Sequence, residues 1–232
     1  MDVNQQKPAY TGREILAHVD HTLLSPTATW EDIKTLVEQA LAFQTASVCI
    51  PPTYVKQVKD TYGNDVTICT VIGFPLGYMT TAAKVAEAKQ ALAEGACEID
   101  MVVNLGAVKN GHYATIVEEI KALKEACGSA ILKVIIETCY LSEAEKVALC
   151  QAVTDGGADY IKTSTGFGTA GATLADVQLF KTYIGPGVKI KAAGGIRSIE
   201  DMVAYLAAGC ERLGASAAVG LLETHLDETF SY

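Results

Sequence analysis

The segments ADYIKTSTGFG (158–168) and VKIKAAGGIR (188–197) decide the fold. Each runs from an apolar, strand-like stretch through a lysine into a small loop that contains glycine. Lys162 and Lys191 hold the equivalent position in the two segments and lie about 29 residues apart, close to the length of one strand-loop-helix unit. A strand that is followed by a loop and a helix is the building block of parallel α/β folds, so the pair indicates a repeat.

Strand-like stretches of this kind occur eight times along the chain. Amphipathic segments with helix-capping residues lie between them; in the clearest, Thr80 or Thr81 begins a helix that ends before Gly95. The predicted strands cover residues 17–24, 46–50, 66–72, 97–103, 130–136, 158–163, 188–192 and 211–214. The other predicted helices cover 30–42, 113–126, 142–154 and 198–208, and the last two begin with the spacing of a capping box, Ser142 to Glu145 and Ser198 to Asp201.

The even repeat predicts the fold class. Eight units in 232 residues average about 29 residues each, which suits a compact barrel, whereas a doubly wound sheet rarely uses eight such units. No linker or low-complexity stretch divides the chain. We therefore predict an α/β protein with one (β/α)8 TIM-barrel domain over residues 1–232, whose chemistry lies at the carboxyl ends of the strands.

Composition and charge exclude several classes of protein. Half of the residues are hydrophobic and 19% are charged, which is typical of a globular enzyme and not of a disordered chain. The net charge of -9 disfavours nucleic acid and anionic membranes as partners, and no apolar run approaches the roughly 18 residues of a membrane helix. The start of the chain lacks the pattern of an export signal, and seven scattered cysteines without a CxxC indicate reduced thiols in a cytoplasmic protein.

Lys162 and Lys191 are candidates for nucleophilic catalysis. On adjacent barrel strands the two ammonium groups would share one mouth, and both like charge and partial burial lower the pKa of a lysine. A lysine with a lowered pKa supplies free amine for attack on a carbonyl, so the pair predicts a Schiff-base site. Lys133 and Lys189 also lie in predicted strands, and periodicity alone does not choose among the four. For Lys189 we expect a deeper layer or a paired charge.

Two acidic residues accompany the lysines. Asp100 lies among the apolar residues of the fourth predicted strand, where a carboxylate needs a cationic partner. A lysine across the barrel would serve, either as a buried ion pair or for proton transfer during carbinolamine formation and breakdown. In the first predicted strand Asp20 and Thr22 share a face.

Glycine-containing loops after the last three strands predict a phosphate site. Barrel enzymes commonly bind phosphate on the loops after the last two strands, through backbone N–H groups that glycine lets the anion approach. Arg197 adds positive charge at the rim or is a solvated residue of the first helical turn. The residues in question are Gly166, Gly194, Gly195, Gly214 and Ser216.

The weaker signals argue against a cofactor. His18 and His21 form a poor metal motif without a third ligand, which disfavours a metal-dependent aldolase or hydrolase. The fingerprints of dinucleotide binding, P-loop and acyl-serine chemistry are absent from the sequence. We therefore expect neither metal nor organic cofactor. Cys49, near the end of the second predicted strand, is interpreted as a buried structural thiol rather than a pocket residue.

From residue 17 onward the chain resembles the deoxyribose-phosphate aldolase family. No one motif would suffice, but seven occur in order, and together they are highly specific. They are VDHTLL (19–24), VCIPP (48–52), VIGFP (71–75), EIDMVVN (98–104), KVIIET (133–138), KTSTGF (162–167) and KAAGGIR (191–197).

The resemblance implies a metal-free class I aldolase on a (β/α)8 barrel. Such an enzyme reversibly cleaves 2-deoxy-D-ribose 5-phosphate to D-glyceraldehyde 3-phosphate and acetaldehyde, in deoxynucleoside catabolism. By motif, Lys162 would form the Schiff base, Lys191 would keep it nucleophilic, and Asp100 would move protons. Asp20 and Thr22 would face the sugar hydroxyls. The phosphate would lie on Gly166, Gly194, Gly195, Gly214 and Ser216.

The chain departs from the family pattern at two positions and shares its ending. Some members carry a serine where Ala217 stands and a lysine where Phe167 stands, and either change removes a phosphate donor or shifts its work to backbone amides. The family commonly ends in a tyrosine thought to help proton transfer at C2, as Tyr232 ends this chain; a frayed terminus is the alternative.

Other functions stay open at this point. A phosphosugar isomerase or synthase would share the phosphate site but would need a carboxylate base instead of two lysines. A non-catalytic sugar-phosphate binder would use Lys162 and Lys191 as anion contacts. A homo-oligomer, dimer or tetramer, is compatible with an apolar-rich barrel.

Overall fold

Eight parallel strands close into a barrel in the computed structural model, which describes residues 8–232. A separate two-stranded antiparallel sheet joins β1 to β10. The strands are β1 (Ala9–Thr11), β2 (Val19–Thr22), β3 (Ser47–Ile50), β4 (Ile68–Ile72), β5 (Glu98–Val102), β6 (Ile131–Ile135), β7 (Tyr160–Lys162), β8 (Lys189–Ala193), β9 (Arg212–Ala215) and β10 (Thr229–Ser231), and β2 to β9 form the barrel in chain order.

Ten α-helices are formed by the described residues, most of them in the crossovers between barrel strands. They are α1 (Gly12–Leu16), α2 (Trp30–Phe43), α3 (Val55–Tyr62), α4 (Thr81–Ala93), α5 (Leu105–Lys109), α6 (Tyr113–Cys127), α7 (Glu143–Asp155), α8 (Leu174–Tyr183), α9 (Ile199–Ala208) and α10 (Ala218–Leu222). Two 3-10 turns, Pro52–Tyr54 and Thr138–Tyr140, follow β3 and β6. None of the helices within residues 8–232 has the length and apolar character needed to cross a membrane.

The predicted TIM barrel is confirmed. All eight predicted strands form it, with ends that differ by no more than two residues, and the five predicted helices are α2, α4, α6, α7 and α9. The β1–β10 ribbon and the helices α1, α3, α5, α8 and α10 were not predicted. The two ribbon strands are three residues each and pair only with one another, so neither shows a periodic pattern.

Side-chain caps explain where four of the five predicted helices begin, and α6 begins without one. The Ser142 hydroxyl accepts from the amide of Glu145, whose carboxylate reaches back to the Ser142 amide, so this capping box is confirmed. At α9 only half of the box forms. Ser198 accepts from the amide of Asp201, but the Asp201 carboxylate accepts from the amide of Arg197 and not from that of Ser198.

Strand register places the charged side chains inside the barrel. Asp100 of β5 is opposite Lys133 of β6, Lys162 of β7 is opposite Lys191 of β8, and Lys191 is opposite Arg212 of β9. Successive side chains of a strand point to opposite faces, so the alternate residues of these strands pack outward against the helices. Ile99, Ile161 and Ile190 belong to that outer apolar core.

Candidate active site

A cavity of about 560 Å³ opens at the carboxyl ends of the barrel strands. It lies where the sequence predicted the chemistry, since Lys162 and the loops after β2, β7, β8 and β9 form its wall. Its lining includes all five predicted phosphate residues as well as Thr22. The lining includes Thr22, Leu24, Lys162, Gly166, Phe167, Gly194, Gly195, Arg197, Gly214, Ser216 and Ala217.

Lys162 and Lys191 meet at one carboxylate beneath this cavity. The Nζ atoms of both lysines lie 2.7 Å from Oδ2 of Asp100. Lys191 also donates to Asp20. Asp100 and Lys191 are fully buried and Lys162 is 3% exposed, so the three groups interact with almost no solvent screening. The structure therefore brings together the three residues that the sequence singled out for catalysis.

A second layer of charges lies below the first. Nζ of Lys133 is 2.5 Å from Oε2 of Glu98, 2.9 Å from Oδ1 of Asp100 and 3.4 Å from Oδ2 of Asp20. Arg212 donates to Glu98 over 3.0 and 3.1 Å, and it also donates to Asp20. The guanidinium lies over the ring of Tyr160, 5.9 Å from its centroid. We call these seven ionisable residues the charged network: Asp20, Glu98, Asp100, Lys133, Lys162, Lys191 and Arg212.

Carboxylates set the electrostatics of the charged network. Burial acts to lower the pKa of Lys191, but the attraction of Asp100 and Asp20 is greater and raises that pKa above its usual value. The same balance raises the pKa of Lys133. Burial acts to raise the pKa of Asp100, but Lys133, Lys162 and Lys191 hold it well below its usual value. The expectation that two neighbouring ammonium groups lower both lysine pKa values is therefore wrong for Lys191, because the sequence did not show two carboxylates within reach of it.

These pKa shifts predict how stability depends on pH. A raised pKa in the folded protein means that the contribution of Lys191 to the free energy of unfolding is present below 10.5 and is lost as the pH rises further. The lowered pKa of Asp100 means that its contribution is present above 3.8 and is lost as the pH falls. We expect the melting temperature, followed by circular dichroism, to fall on both sides of a window from about pH 4 to about pH 10.

The variant Lys191→Met should flatten the alkaline side of that profile. Methionine removes the ammonium group and keeps a side chain of similar volume, so only the charge-dependent term is lost. Lys34→Met, at a partly exposed position on α2, is the control and should keep the alkaline fall. An unchanged alkaline fall in the Lys191 variant would contradict the assignment.

Asp20 lies in the charged network and is not among the lining residues of the cavity, and its contact with the sugar hydroxyls stays a prediction. Its side chain is fully buried, and its oxygens accept from Lys191, from Arg212 and from the Ser47 hydroxyl at 2.7 Å. Two residues further on, Thr22 does line the cavity, and its hydroxyl donates to the Asp20 carbonyl oxygen at 2.7 Å. The two residues share a face of β2 as predicted, but one is a layer deeper than the other.

Three further residues that the sequence raised as candidates do not line the cavity that Lys162 lines. Lys189 is 47% exposed at the start of β8 and pairs with Glu211 at 2.9 Å, so the paired-charge alternative holds and it takes no part in the site. Cys49 is fully buried, as interpreted from the sequence. Tyr232 is 55% exposed and lines a groove beside α9 instead of the cavity that Lys162 lines.

Sequence reasoning missed Glu98 and Arg212 and left Lys133 undecided. Their spacing in the sequence was the available signal, because residues two apart in a strand point to the same face. Glu98 lies two residues before Asp100, and Arg212 lies two residues before Gly214. This spacing alone shows neither which face of a strand points into the barrel nor how deep in the barrel a side chain lies. Only the barrel register shows that these side chains meet under the cavity.

Glycine at position 214 leaves space for the lysine stem. A Cβ added there would lie 3.2 Å from Cε of Lys191 and 2.9 Å from Cβ of Ala193. Both contacts are tighter than side chains normally tolerate, so alanine would displace the lysine. Gly194 and Gly195 have φ of 80° and 77°, a conformation that L side chains rarely adopt, and this conformation forms the tight loop after β8.

Two groups of buried ligand atoms have the spacing of a metal site. They are Cys49, Cys69 and Asp100, and Asp20, Cys69 and Glu98. Each carboxylate in them already accepts from a lysine or arginine of the charged network, so a bound cation would have to displace an ammonium or guanidinium group. The predicted histidine pair is not convergent, since His18 contacts the Glu211 carbonyl and His21 contacts Gln39.

The barrel and the cavity at its mouth define an enzyme that holds its site at the carboxyl ends of the strands. Residues 15–226 match a family model described as DeoC/LacD family aldolase. The chain belongs to this family of aldolases, which are lyases, and the resemblance seen in the seven sequence motifs is confirmed.

Relatives support this assignment over nearly the whole chain. A deoxyribose-phosphate aldolase of Clostridium botulinum strain Alaska E43 is 61% identical over 219 residues, covering 94% of this chain and 98% of that protein. One from Clostridioides difficile strain 630 is 54% identical over 220 residues, covering 95% and 100%.

Solved structures support the same family assignment. A putative deoxyribose-phosphate aldolase of Coccidioides immitis aligns with a TM-score of 0.89 at 41% identity, over 94% of this chain and 87% of that one. A deoxyribose phosphate aldolase of Aeropyrum pernix, described as having a unique tetrameric structure, aligns with a TM-score of 0.83 at 34% identity, over 92% of each chain.

Proposed function

We propose that this aldolase reversibly cleaves 2-deoxy-D-ribose 5-phosphate to D-glyceraldehyde 3-phosphate and acetaldehyde through a Schiff base on Lys162. One observation carries the choice of lysine. Of the three lysines in the charged network, Lys162 alone lines the cavity, and Asp100 is its only ion-pair partner among residues 8–232. Lys133 and Lys191 each contact at least two carboxylates.

The charged network contains one more cationic side chain than it has carboxylates. The charged network holds four cationic side chains and three carboxylates, so one positive charge is in excess when all are ionised. Attack by Lys162 as a neutral amine leaves three charges of each sign in an interior that water hardly reaches. The neutral amine is the nucleophile that attacks the aldehyde carbon.

The residues beneath Lys162 supply the proton transfers. Attack of the amine on C1 of the open-chain sugar gives a carbinolamine, and loss of water from it gives an iminium. Asp100 lies within hydrogen-bond reach of the reacting nitrogen, and Lys191 donates to the same carboxylate oxygen, so protons can pass between these groups.

The iminium then acts as the electron sink. Loss of the proton of the C3 hydroxyl and breakage of the C2–C3 bond release the phosphorylated aldehyde and leave a two-carbon enamine on Lys162. A proton added at C2 restores an iminium, and water releases acetaldehyde and the free amine.

The loops around Gly194 form the proposed phosphate site. Within residues 8–232, the backbone amides of five residues in these loops donate to no protein acceptor and can therefore point at an anion. Arg197 is exposed at the rim and forms no ion pair in the described part of the chain, so its charge is available. With Phe167 and Ala217 at the two departing positions, backbone amides and Arg197 would hold the phosphate. The five amides belong to Gly166, Gly194, Gly195, Ser216 and Ala217.

Arg197→Met should raise the KM for 2-deoxyribose 5-phosphate about tenfold with little change in kcat. The arginine contacts a part of the substrate that does not change during cleavage, so ground state and transition state lose the same stabilisation. Steady-state kinetics with unphosphorylated 2-deoxyribose should be unaffected. Arg13→Met, at an exposed arginine paired with Asp227, is the matched control. Equal losses for both sugars would place Arg197 outside the phosphate site.

Reduction of the imine tests the proposal as a whole. The protein is incubated with acetaldehyde and borohydride, its intact mass is measured, and the modified peptide is mapped, beside an assay of 2-deoxyribose 5-phosphate cleavage. A single ethyl adduct on Lys162 together with turnover is the expected result. Binding of the sugar phosphate without adduct or turnover would indicate a non-catalytic binder, and turnover of a phosphosugar without adduct would indicate an isomerase or synthase.

A further inference from the structure

One buried carboxylate beside the cavity has no part in the proposed mechanism. Glu137 lies just after β6 and is 2% exposed, and among residues 8–232 the donors that contact its side chain all belong to Thr165. A buried carboxylate usually has a cationic partner. The backbone of Glu137 is also unusual, since its φ of 52° is left-handed, a conformation that residues with a Cβ rarely adopt. The two features together indicate a specific task for this residue.

Glu137 anchors the loop that follows β7. Thr165 lines the cavity directly before Gly166. Its amide donates to Oε1 of Glu137 at 3.0 Å, and its hydroxyl donates to Oε2 of the same carboxylate. The amide of Thr138 donates to the Thr163 carbonyl oxygen at 2.9 Å. The residues after β6 therefore hold the loop at two points, one on each side of its turn toward the cavity.

Close packing keeps the loop against this carboxylate. A Cβ added at Gly168 would lie 2.8 Å from Sγ of Cys139 and 3.2 Å from Cδ of Glu137. Both contacts are tighter than side chains normally tolerate, so the loop can approach the end of β6 only with glycine at this position. The Glu137 carboxylate thus has a fixed place directly behind the part of the loop that faces the cavity.

Hydrogen bonds fix the direction of the Thr165 hydroxyl. A hydroxyl has one proton to donate and two lone pairs that accept. The proton goes to Glu137, because an ionised carboxylate can only accept. One lone pair accepts from the amide of Phe167 at 3.0 Å. Thr165 therefore offers a ligand in the cavity a lone pair and no proton, and a phosphate oxygen, which is also an acceptor, gains no hydrogen bond from it.

We propose that Glu137 is a positioning residue that limits the affinity for phosphate by making the Thr165 hydroxyl an acceptor. The inference rests on the proposed function, in which backbone amides around Gly194 hold the phosphate. Thr165 lies next to one of these amides, that of Gly166, but its own proton is not available to the anion. A limited affinity for phosphate favours release of the phosphorylated aldehyde after cleavage.

Glu137→Gln tests the proposal, because it keeps the shape of the side chain and reverses the hydroxyl. The glutamine oxygen still accepts from the Thr165 amide, so its NH2 group donates to the Thr165 hydroxyl, whose proton then turns to the cavity. The Kd of inorganic phosphate, from isothermal titration calorimetry, should fall about three- to tenfold. The KM for 2-deoxyribose 5-phosphate should fall with it. A structural defect would weaken phosphate binding, so an unchanged or raised Kd would overturn the proposal.

Thr165→Val gives an independent readout that does not depend on Glu137. A hydroxyl that offers phosphate no proton contributes little to its binding, so the Kd of inorganic phosphate should stay within about twofold. A tenfold loss would show that Thr165 donates to the anion in the parent protein and would overturn the proposal. In the double variant, most of the gain from Glu137→Gln should disappear. A full gain without the hydroxyl would come from the lost charge alone and would also overturn it.

Glu145→Gln is the matched control. The Glu145 carboxylate likewise accepts from the amide and the hydroxyl of one residue, Ser142, at 2.7 and 3.0 Å, but it lies in the first turn of α7 and lines no part of the cavity. Its substitution should leave the Kd of inorganic phosphate within about twofold. An equal gain in both glutamine variants would overturn the proposal.

An assay of the parent protein separates this inference from the proposed function. The parent should cleave 2-deoxyribose 5-phosphate, and inorganic phosphate should inhibit it competitively. No cleavage would overturn the proposed function and the role of Glu137 with it. Cleavage and inhibition by phosphate in the parent, without tighter binding in Glu137→Gln, would overturn the role of Glu137 alone.

Discussion

Lys162→Met is expected to abolish the borohydride-trapped adduct and to lower kcat/KM for cleavage of 2-deoxyribose 5-phosphate by about 10⁴-fold or more. Methionine fills much of the space of the lysine stem but has no amine, so no imine can form. The substitution also leaves the charged network with three cations and three carboxylates. The melting temperature should therefore stay the same or rise, which separates loss of chemistry from loss of structure.

Lys189→Met is the control for that experiment. Lys189 is on the strand next to Lys162, but it lies at the exposed end of that strand and pairs with Glu211. Its removal should leave both the adduct and the kinetics within about twofold, as is usual for surface substitutions. Adduct formation that persists in Lys162→Met and disappears in a Lys191→Met protein would assign the nucleophile to the other lysine.

Lys133→Met should lower kcat/KM by about 10- to 100-fold at pH 7 without any contact between Lys133 and substrate. Three carboxylates then face three cations, so use of Lys162 as a neutral nucleophile would leave the buried network with a net negative charge. Restoring the charge balance should reverse the defect, which a purely structural defect would not show. The free energy of unfolding, from urea titration, should fall by about 3 kcal/mol because Oδ1 of Asp100 loses its ammonium partner.

A second substitution checks this charge argument. Glu98→Gln in the Lys133→Met protein removes one carboxylate and restores the single excess positive charge. The amide oxygen can still accept from Arg212, which bonds to Glu98 in the parent protein. The double variant should regain part of the activity at pH 7, whereas independent defects would add. Additive losses would show that Lys133 acts by packing and not by charge.

Much of the fold could be predicted from the sequence, because a barrel repeats one local pattern eight times. Most barrel strands are buried on both faces and four of the five predicted helices carry a side-chain cap, so both periods are visible in a short window. The β1–β10 ribbon escaped prediction because its pairing joins residues more than 200 positions apart.

The residues of the candidate site could likewise be predicted only in part. Lys162, Lys191 and Asp100 stood out because a charged residue in an apolar strand is conspicuous wherever it points. Lys189 and Lys191 have the same parity and differ only in depth, which depends on how neighbouring strands are staggered. Glu98 and Arg212 could not be paired from sequence, and the raised pKa of Lys191 had no visible cause until the fold placed Asp100 and Asp20 within reach of it.

The burial of the charged network limits where protons can travel. Its lower side is closed by Arg212, whose side chain is 12% exposed and lies over Tyr160, while Asp20, Asp100, Lys133 and Lys191 are fully buried. Lys162, at the floor of the cavity, is the group of the network that meets the mouth. A bound sugar phosphate would fill the exit through which protons exchange with water. Isotopic hydrogen taken from the substrate hydroxyl would then be held inside the barrel, and part of it would return to C2 of the same molecule before release.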